Sequence, residues 1–300
     1  MMGYRPMIVF ITGATGFIGR KVVKRLVAAG HELRALCRRP DPDVEMNWIP
    51  GDLERPESYR FALEGVDAII HLGALTGKAL ATRHDRVNHA ATRALYNAAR
   101  RTHIRRFLFA STIAVRYPEK ANHPHAQAKE AAERALRDGQ PTTVVVRPTL
   151  VLGAESPIGT QLAQLARLPL TPIFGNGLTR IQPVHVDDVA DAFVDLTLTP
   201  NITRATIELG GPEALTLDEL MRRFRTAAGL RPRPIAHLPM ALSTSLLTRL
   251  EPLFFSVLPV TAEQLYAFRY DSTAEESPFM QERRSKLKTV DEMVRDTLAT

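Results

Sequence analysis

A doubly wound α/β fold with a parallel sheet is predicted by three features of this 300-residue chain. Short apolar runs alternate with segments of helical apolar spacing from residue 7 to about residue 148. The first run ends in a glycine turn that leads directly into a helix. Beyond Pro148 the pattern changes, because prolines and glycines crowd between residues 153 and 177. Strands that alternate with helices need crossover connections, which favour a parallel sheet covered on both faces.

The apolar runs and their spacing define the individual elements. Strands are predicted over residues 7–11, 32–37, 47–53, 66–72, 106–112, 142–148 and 205–209. Helices are predicted over 20–30, 85–101 and 187–196, the last after a strand over 181–186 that returns to the sheet. Thr216 and Glu219 have the spacing of a capping box that opens a helix to about residue 228. A closing helix begins near Val290.

Residues 12–19, Thr-Gly-Ala-Thr-Gly-Phe-Ile-Gly, are typical of a loop that binds a dinucleotide. Gly13 permits a sharp turn, Gly16 lets the backbone approach a pyrophosphate, and Gly19 lets the helix pack close to the strand. The helix N-terminus offers N–H donors and a partial positive charge to the phosphates. We therefore predict a pyrophosphate site made by Gly13, Thr15, Gly16, Phe17, Ile18 and Gly19.

This loop makes the predicted sheet Rossmann-like, with a smaller, mainly helical C-terminal lobe. We assign residues 1–153 and 181–212 to the dinucleotide-binding domain. Residues 154–180 and 213–300 form the predicted lobe for a substrate or a partner. Such a lobe would lie over the carboxyl edge of the sheet, where α/β proteins bind their ligands.

Composition and charge narrow the classes of function. The single cysteine, Cys37, rules out an internal disulfide, and no run has the roughly 20 apolar residues of a membrane helix, so we expect a cytoplasmic protein. The apolar stretch 238–258 leaves open a peripheral membrane contact or a lipophilic pocket. The net charge of +7 comes from dispersed arginines, so nucleic-acid binding is not expected. His123 and His125 have no third ligand nearby, so no metal site is expected.

Two arginines follow the second predicted strand, at the position where NAD-binding and NADP-binding proteins carry different residues. NAD-binding proteins place an acidic residue there to accept hydrogen bonds from the ribose 2′-hydroxyl, and this acid would repel a 2′-phosphate. The chain has Arg38 and Arg39 at that point and no acid before Asp41. Guanidinium groups match a phosphate dianion. The sequence therefore favours NADP(H) over NAD(H).

Further short motifs follow the glycine loop in order. They are Gly51-Asp52-Leu53, His71-Leu72-Gly73-Ala74, Val87-Asn88 with Ala91-Thr92, Ser111-Thr112, Arg147-Pro148 and His-Val-Asp-Asp-Val-Ala at 185–190. Over residues 7–212 the chain thus resembles the extended short-chain dehydrogenase/reductase superfamily, with its NAD-dependent epimerases and dehydratases. The motifs at 182–185, 209–212 and 258–265 resemble its atypical branch, near the NADPH-binding accessory subunit of respiratory complex I.

The resemblance implies roles for several residues. Asp52 and Leu53 would flank the adenine, and Gly73 and Ala74 would lie beside the phosphate and ribose of the cofactor. Ser111 and Thr112 end the fifth strand, where members of the superfamily use a hydroxyl group to polarise the carbonyl of the substrate.

One position departs from the superfamily. Its redox enzymes and epimerases carry a tyrosine with a lysine four residues later, on one face of a helix, so that the ammonium lowers the pKa of the phenol and holds the nicotinamide ribose. Here His125 stands at the tyrosine position and Lys129 is retained.

Three explanations of this departure stay open. His125 donates the proton, since the ordinary pKa of imidazole, ~6.5, suits acid–base work. Alternatively, the chemistry is lost and Lys129 is only a ribose ligand. In the third explanation, Tyr117 or Thr112 is the donor, or hydride goes to a carbon centre that needs little acid help.

Three functions follow from these observations. The first is an NADP(H)-dependent oxidoreductase that acts on a small or lipophilic carbonyl or quinone-like substrate. The second is a non-catalytic NADPH-binding protein that assembles with, or senses, a protein partner. The third is a nucleotide-sugar epimerase or dehydratase, and the missing tyrosine counts against it.

Overall fold

The computed structural model describes residues 6–40, 46–137, 139–200, 203–240, 244 and 268–299. The motif at 258–265 and nearly all of the apolar stretch 238–258 lie outside the described residues. The chain divides into two compact units. Unit 1 comprises Met1–Thr112, Gln127–Arg147 and Asp187–Ile207, and unit 2 comprises Ile113–Ala126, Pro148–Val186 and Glu208–Thr300. The domain boundaries drawn from the sequence stay a prediction.

The elements of the described residues follow in chain order. The strands are β1 (Ile8–Thr12), β2 (Glu32–Cys37), β3 (Asn47–Pro50), β4 (Ala68–His71), β5 (Arg106–Ala110), β6 (Thr142–Pro148), β7 (Val151–Leu152), β8 (Thr171–Phe174), β9 (Arg180–Ile181), β10 (Val184–His185), β11 (Ala205–Leu209), β12 (Leu215–Thr216) and β13 (Ile235–Leu238). The α-helices are α1 (Phe17–Ala28), α2 (Ala81–His84), α3 (Ala91–Ala99), α4 (Pro124–Ala135), α5 (Pro157–Arg167), α6 (Val186–Leu198), α7 (Leu217–Ala227), α8 (Pro278–Arg283) and α9 (Val290–Leu298).

Unit 1 is built on a seven-stranded sheet with the order β11-β6-β5-β4-β1-β2-β3. The strand pairs from β3 to β6 are parallel, and Thr12 of β1 lies opposite Leu36 of β2 and His71 of β4. The direction of winding reverses at β1 and β4, so the carboxyl ends of these strands border the crevice in which such sheets bind ligands. The predicted Rossmann-like parallel sheet is confirmed.

Aromatic side chains fill the core on one face of this sheet. Phe10 and Tyr59 lie with ring centroids 6.0 Å apart, and the rings of Tyr96 and Phe107 meet edge to face at 5.4 Å. All four side chains are buried. Burial of each large apolar side chain contributes about 1.5–3 kcal/mol to folding, so this cluster holds the strands that position the site.

Unit 2 contains helices α5, α7 and α9 around a second core and three short strand pairs. Leu162, Phe224 and Met293 are buried in this core. The predicted capping box is present, since the Thr216 hydroxyl accepts from the Glu219 amide and the Glu219 carboxylate accepts from the Thr216 amide. Among the described residues, no helix combines the length and apolar character needed to cross a bilayer.

Two predicted elements differ in the structure. The segment 181–186 does not return to the large sheet, because β9 pairs with β12 and β10 pairs with β7. Pro183, between them, has no amide hydrogen for a continuous strand. The helix predicted over 85–101 is continuous with α2 and begins with a π-helical segment, Asp85–Ala90, which widens the helix before α3.

Candidate functional site

The glycine loop between β1 and α1 is held by close backbone contacts. Gly13 has φ +75°, a conformation that L side chains rarely adopt. The Gly16 amide donates to the Gly13 carbonyl oxygen at 3.0 Å. A Cβ on Gly19 would lie only 2.0 Å from that same oxygen. The loop therefore depends on small residues at these three positions.

The start of α1 can receive an anionic group. The helix follows Gly16, whose backbone is extended, and no side chain caps this helix end. Thr15 and Gly16 are exposed, while Phe17 and Ile18 of the first turn are half-buried. Helix N-termini bind phosphate through amide donors and the helix dipole. The loop and helix together fit the pyrophosphate of a dinucleotide.

A buried chain of polar groups joins β1 to β4 beneath the loop. The Thr12 hydroxyl and His71 Nδ1 are 2.6 Å apart, and His71 Nε2 lies 2.8 Å from the Thr92 hydroxyl. Burial, with a smaller effect of the Lys129 charge, lowers the pKa of His71 to about 3, so the ring is neutral. Thr12 Oγ1 also accepts from the Gly73 amide at 3.0 Å. These bonds fix the chain that leaves β4, including Gly73 and the exposed Ala74.

Asn88, in the π-helical segment, holds the same loop from the other side. Its Oδ1 accepts from the Leu75 amide at 2.8 Å, and its Nδ2 donates to the Leu75 carbonyl oxygen at 2.9 Å. The side chain thus pairs with the loop as a neighbouring strand would. The Val87-Asn88 motif alone does not indicate this role, because the contact joins residues that no local sequence pattern relates.

Arg38 and Arg39 are exposed directly after β2 ends at the buried Cys37. The Gly51 amide donates to the Cys37 carbonyl oxygen at 2.9 Å, which places the Gly51-Asp52-Leu53 turn beside the end of β2. Asp52 is half-buried and its carboxylate accepts from the Glu54 amide at 3.0 Å. Leu53 packs against the core of unit 1. The residues expected around the adenosine thus gather at one end of the sheet.

Lys129 of α4 is buried at the carboxyl end of β5. Its ammonium donates to the Ala110 carbonyl oxygen at 2.6 Å and lies 4.6 Å from the centre of the Phe109 ring. Burial lowers the pKa of Lys129 to about 7, and the Glu133 carboxylate opposes this shift. The Lys129 side chain therefore titrates near neutral pH.

Ser111 and Thr112, which follow β5, lie in different surroundings. The buried Ser111 hydroxyl donates to Glu133 Oε1 at 2.5 Å. Arg147 binds both oxygens of the same carboxylate, at 3.0 and 2.6 Å, so Glu133 neutralises Arg147 and orients Ser111. Thr112 is half-buried. The ion pair between Glu133 and Arg147 could not be predicted from the sequence, because Glu133 lies on α4 and Arg147 lies on β6.

Of the three alternative proton donors, His125 and Tyr117 belong to unit 2, and Thr112 ends the first segment of unit 1. His125 lies in the first turn of α4 and is half-buried, with its ring centroid 6.4 Å from that of His123. The Tyr117 side chain packs 5.4 Å from the ring of Tyr270, and burial raises the pKa of Tyr117 to about 12. His125 and Lys129 are four residues apart on α4, a spacing that places side chains on one face of a helix.

Within the described ranges, no three His, Cys, Asp or Glu side chains gather in a group that could hold a metal ion.

Several curated proteins are similar to this chain. A ceramide reductase from Caulobacter vibrioides is 33% identical over 235 residues, which cover 76% of this chain and 73% of that protein. A 2-alkyl-3-oxoalkanoate reductase from Stenotrophomonas maltophilia is 28% identical over 251 residues, with coverage of 74% and 76%. Subunit 9 of the mitochondrial NADH dehydrogenase (ubiquinone) 1 alpha subcomplex from Arabidopsis thaliana is 28% identical over 227 residues, with coverage of 71% and 56%.

Solved structures share the fold. MoeE5 in complex with UDP-glucose and NAD has a TM-score of 0.66 and is 26% identical, with 77% of this chain and 85% of that chain covered. The structure of gox2253 has a TM-score of 0.76 at 24% identity and covers 97% of each chain. The family described as NAD dependent epimerase/dehydratase matches residues 9–204, more than half of the chain. The resemblance to the extended short-chain dehydrogenase/reductase superfamily is confirmed, and the chain belongs to the NAD dependent epimerase/dehydratase family.

Proposed function

We propose that this protein is an NADP(H)-dependent reductase of a carbonyl group on a lipid-like substrate. One observation carries the proposal: α4 retains the buried Lys129 and carries His125, a potential proton donor, one helical turn before it. The relatives named as a ceramide reductase and a 2-alkyl-3-oxoalkanoate reductase support reduction of a lipid or alkyl substrate.

Charge at the end of β2 supports the preference for NADP(H). Arg38 and Arg39 are both exposed there, next to the turn that contains Asp52. Two guanidinium groups attract a 2′-phosphate dianion, whereas the 2′-hydroxyl of NAD(H) gains little from them. The glycine loop would hold the pyrophosphate, and Lys129 would hold the hydroxyl groups of the nicotinamide ribose.

The chemistry divides between the coenzyme and the side chains. A bound reduced coenzyme would supply a hydride for the carbonyl carbon of the substrate, with the electron pair of the C=O bond passing to the carbonyl oxygen. His125, in its imidazolium form, transfers a proton to the same oxygen and completes the alcohol. The half-buried ring then regains a proton from solvent.

Turnover by the purified chain tests this proposal. We expect it to oxidise NADPH with long-chain 3-oxo esters and to be much less active with short-chain ones. His125→Ala should lower kcat by about 10²–10⁴-fold, and His125→Tyr, which restores the pair of the superfamily, should retain activity. His103→Ala alters an exposed histidine of unit 1 and serves as the matched control. Unchanged turnover in His125→Ala would assign the proton to another group.

A non-catalytic NADPH-binding protein is the second candidate. The Ser111 hydroxyl and the Lys129 ammonium are both bound within unit 1, to Glu133 and to the Ala110 carbonyl oxygen, which suits a structural role. Similarity to the NADH dehydrogenase subunit supports the same function. This candidate predicts NADPH binding and a rise in Tm, with no turnover of any ketone, aldehyde or quinone and with a protein partner that copurifies.

A further inference from the structure

We infer that unit 2 carries a surface that docks on bilayers rich in anionic phospholipids. We call it the arginine–leucine surface and define it by Arg167, Leu168, Leu170, Arg231 and Arg233. Leu168 and Leu170 are 42% and 54% exposed, although both are large apolar side chains. Arg167, Arg231 and Arg233 are exposed beside them. This inference does not depend on the proposed catalytic activity.

The two segments that form this surface lie side by side. Strands β8 and β13 pair in parallel, with Ile235 opposite Thr171, so the residues that precede each strand are neighbours. Arg233 Nη1 donates to the Pro169 carbonyl oxygen at 3.5 Å. The leucines and arginines therefore form one continuous patch rather than separate exposed residues.

A buried arginine fixes the shape of the patch. The guanidinium of Arg225 is buried and donates to the Leu168 carbonyl oxygen at 3.1 Å and to the Arg231 carbonyl oxygen at 2.8 Å. Both segments are thus tied to α7 through one side chain. The backbone at Leu168 and at Arg231 is therefore held in place beneath the exposed side chains.

The positive charge of the two segments that form the arginine–leucine surface indicates which kind of partner would bind there. Residues 156–186 contain no Asp or Glu, and neither do residues 220–250. A second copy of this chain that packed through the same surface would place arginine against arginine, which costs energy. An anionic bilayer offers phosphate groups to the guanidiniums and an apolar interior to the leucines, which matches the composition of interfacial binding surfaces.

Sedimentation of the full chain with vesicles tests the inference. We expect binding to phosphatidylcholine vesicles that contain phosphatidylglycerol, weak binding to phosphatidylcholine alone, and loss of binding as salt is raised. Near an anionic surface each arginine contributes about fivefold to the partition coefficient. Arg167→Glu with Arg231→Glu should therefore weaken binding at least about 25-fold. Leu168→Ser with Leu170→Ser should weaken it on both kinds of vesicle.

Matched controls lie in unit 1. Phe61, which is 69% exposed, gives Phe61→Ser as the control for lost apolar surface. Arg101→Glu with Arg105→Glu controls for the change in net charge, since both side chains are exposed. Neither control should change vesicle binding. Equal binding to both kinds of vesicle, failure of the full chain to bind either, or equal losses in the unit 1 controls would overturn the inference.

Discussion

At the scale of the residue, Lys129 shows how burial changes the pKa of a lysine. Removing the ammonium from water disfavours its charged form, and the Glu133 carboxylate restores only part of that loss. The pKa falls to about 7, well below that of a solvent-exposed lysine. A neutral amine can accept hydrogen bonds from ribose hydroxyls, and an ammonium can donate to them.

The pKa of Lys129 predicts how stability depends on pH. An unfolded lysine has a pKa of ~10.4, so between about pH 7 and 10.4 the unfolded chain binds more protons than the folded chain. Lys129 therefore makes the free energy of unfolding rise with pH in that window, by up to about 1.4 kcal/mol per unit. Below about pH 7 both states hold the proton, and this contribution is constant.

Urea unfolding at pH 7, 8 and 9 can isolate this effect. The difference in unfolding free energy between the wild type and Lys129→Met should change with pH, because only the wild type carries the titrating group. Lys24→Met, at an exposed lysine on α1, should give a constant difference. A constant difference for Lys129→Met as well would show that the buried lysine has an ordinary pKa.

At the scale of the element, the loop after β4 depends on Asn88. Asn88→Leu removes both hydrogen bonds to the Leu75 backbone and leaves two polar groups without that partner. Each such loss costs about 1–3 kcal/mol, so we expect a lower Tm and weaker NADPH binding. Asn97→Leu, at an exposed asparagine of α3, is the matched control. Equal Tm values for the two variants would contradict the role of Asn88.

Substitutions at Gly16 and Gly19 of the glycine loop should differ in how much stability they cost. A Cβ at position 19 meets the Gly13 carbonyl oxygen at 2.0 Å, whereas one at position 16 meets it at 3.2 Å. Gly19→Ala must therefore displace α1 from the loop, and Gly16→Ala needs only a small shift. We expect Gly19→Ala to cost more stability, while both variants weaken coenzyme binding. Thermal unfolding and fluorescence titration with NADPH measure the two effects, and similar Tm values would refute the close packing at Gly19.

Some elements could be predicted from sequence because their causes are local. Apolar runs, glycine turns and the Thr216–Glu219 capping box act over a few residues, so these strands and helix ends agree closely with the structure. The π-helical segment Asp85–Ala90 could not be predicted, because apolar spacing does not distinguish it from an ordinary helical turn. The strand over 181–186 was assigned to the wrong sheet, since β-pairing partners are set by distant residues.

At the scale of the molecule, the candidate site could be predicted in outline but not in its connections. The glycine loop, the arginines after β2 and the lysine of α4 can be recognised in the sequence from their residue types and positions. The hydrogen-bonded pairs that hold this region cannot, because each pair joins residues from separate elements: Thr12 with His71, Asn88 with Leu75, and Glu133 with Arg147. These residue pairs can be identified only from the structure, in which the sheet places the separate elements side by side.

The central claim is that this family member uses NADP(H). Calorimetric titration of the purified chain with NADPH and with NADH tests this claim most directly. We expect NADPH to bind at least about tenfold more tightly, since charge-assisted hydrogen bonds contribute about 1.5–3 kcal/mol each. Arg38→Ala with Arg39→Ala should abolish that preference and leave NADH affinity nearly unchanged, whereas Arg101→Ala with Arg105→Ala should preserve it. Equal affinity of the wild type for both coenzymes, or equal losses for both in the Arg38 and Arg39 variant, would contradict the account.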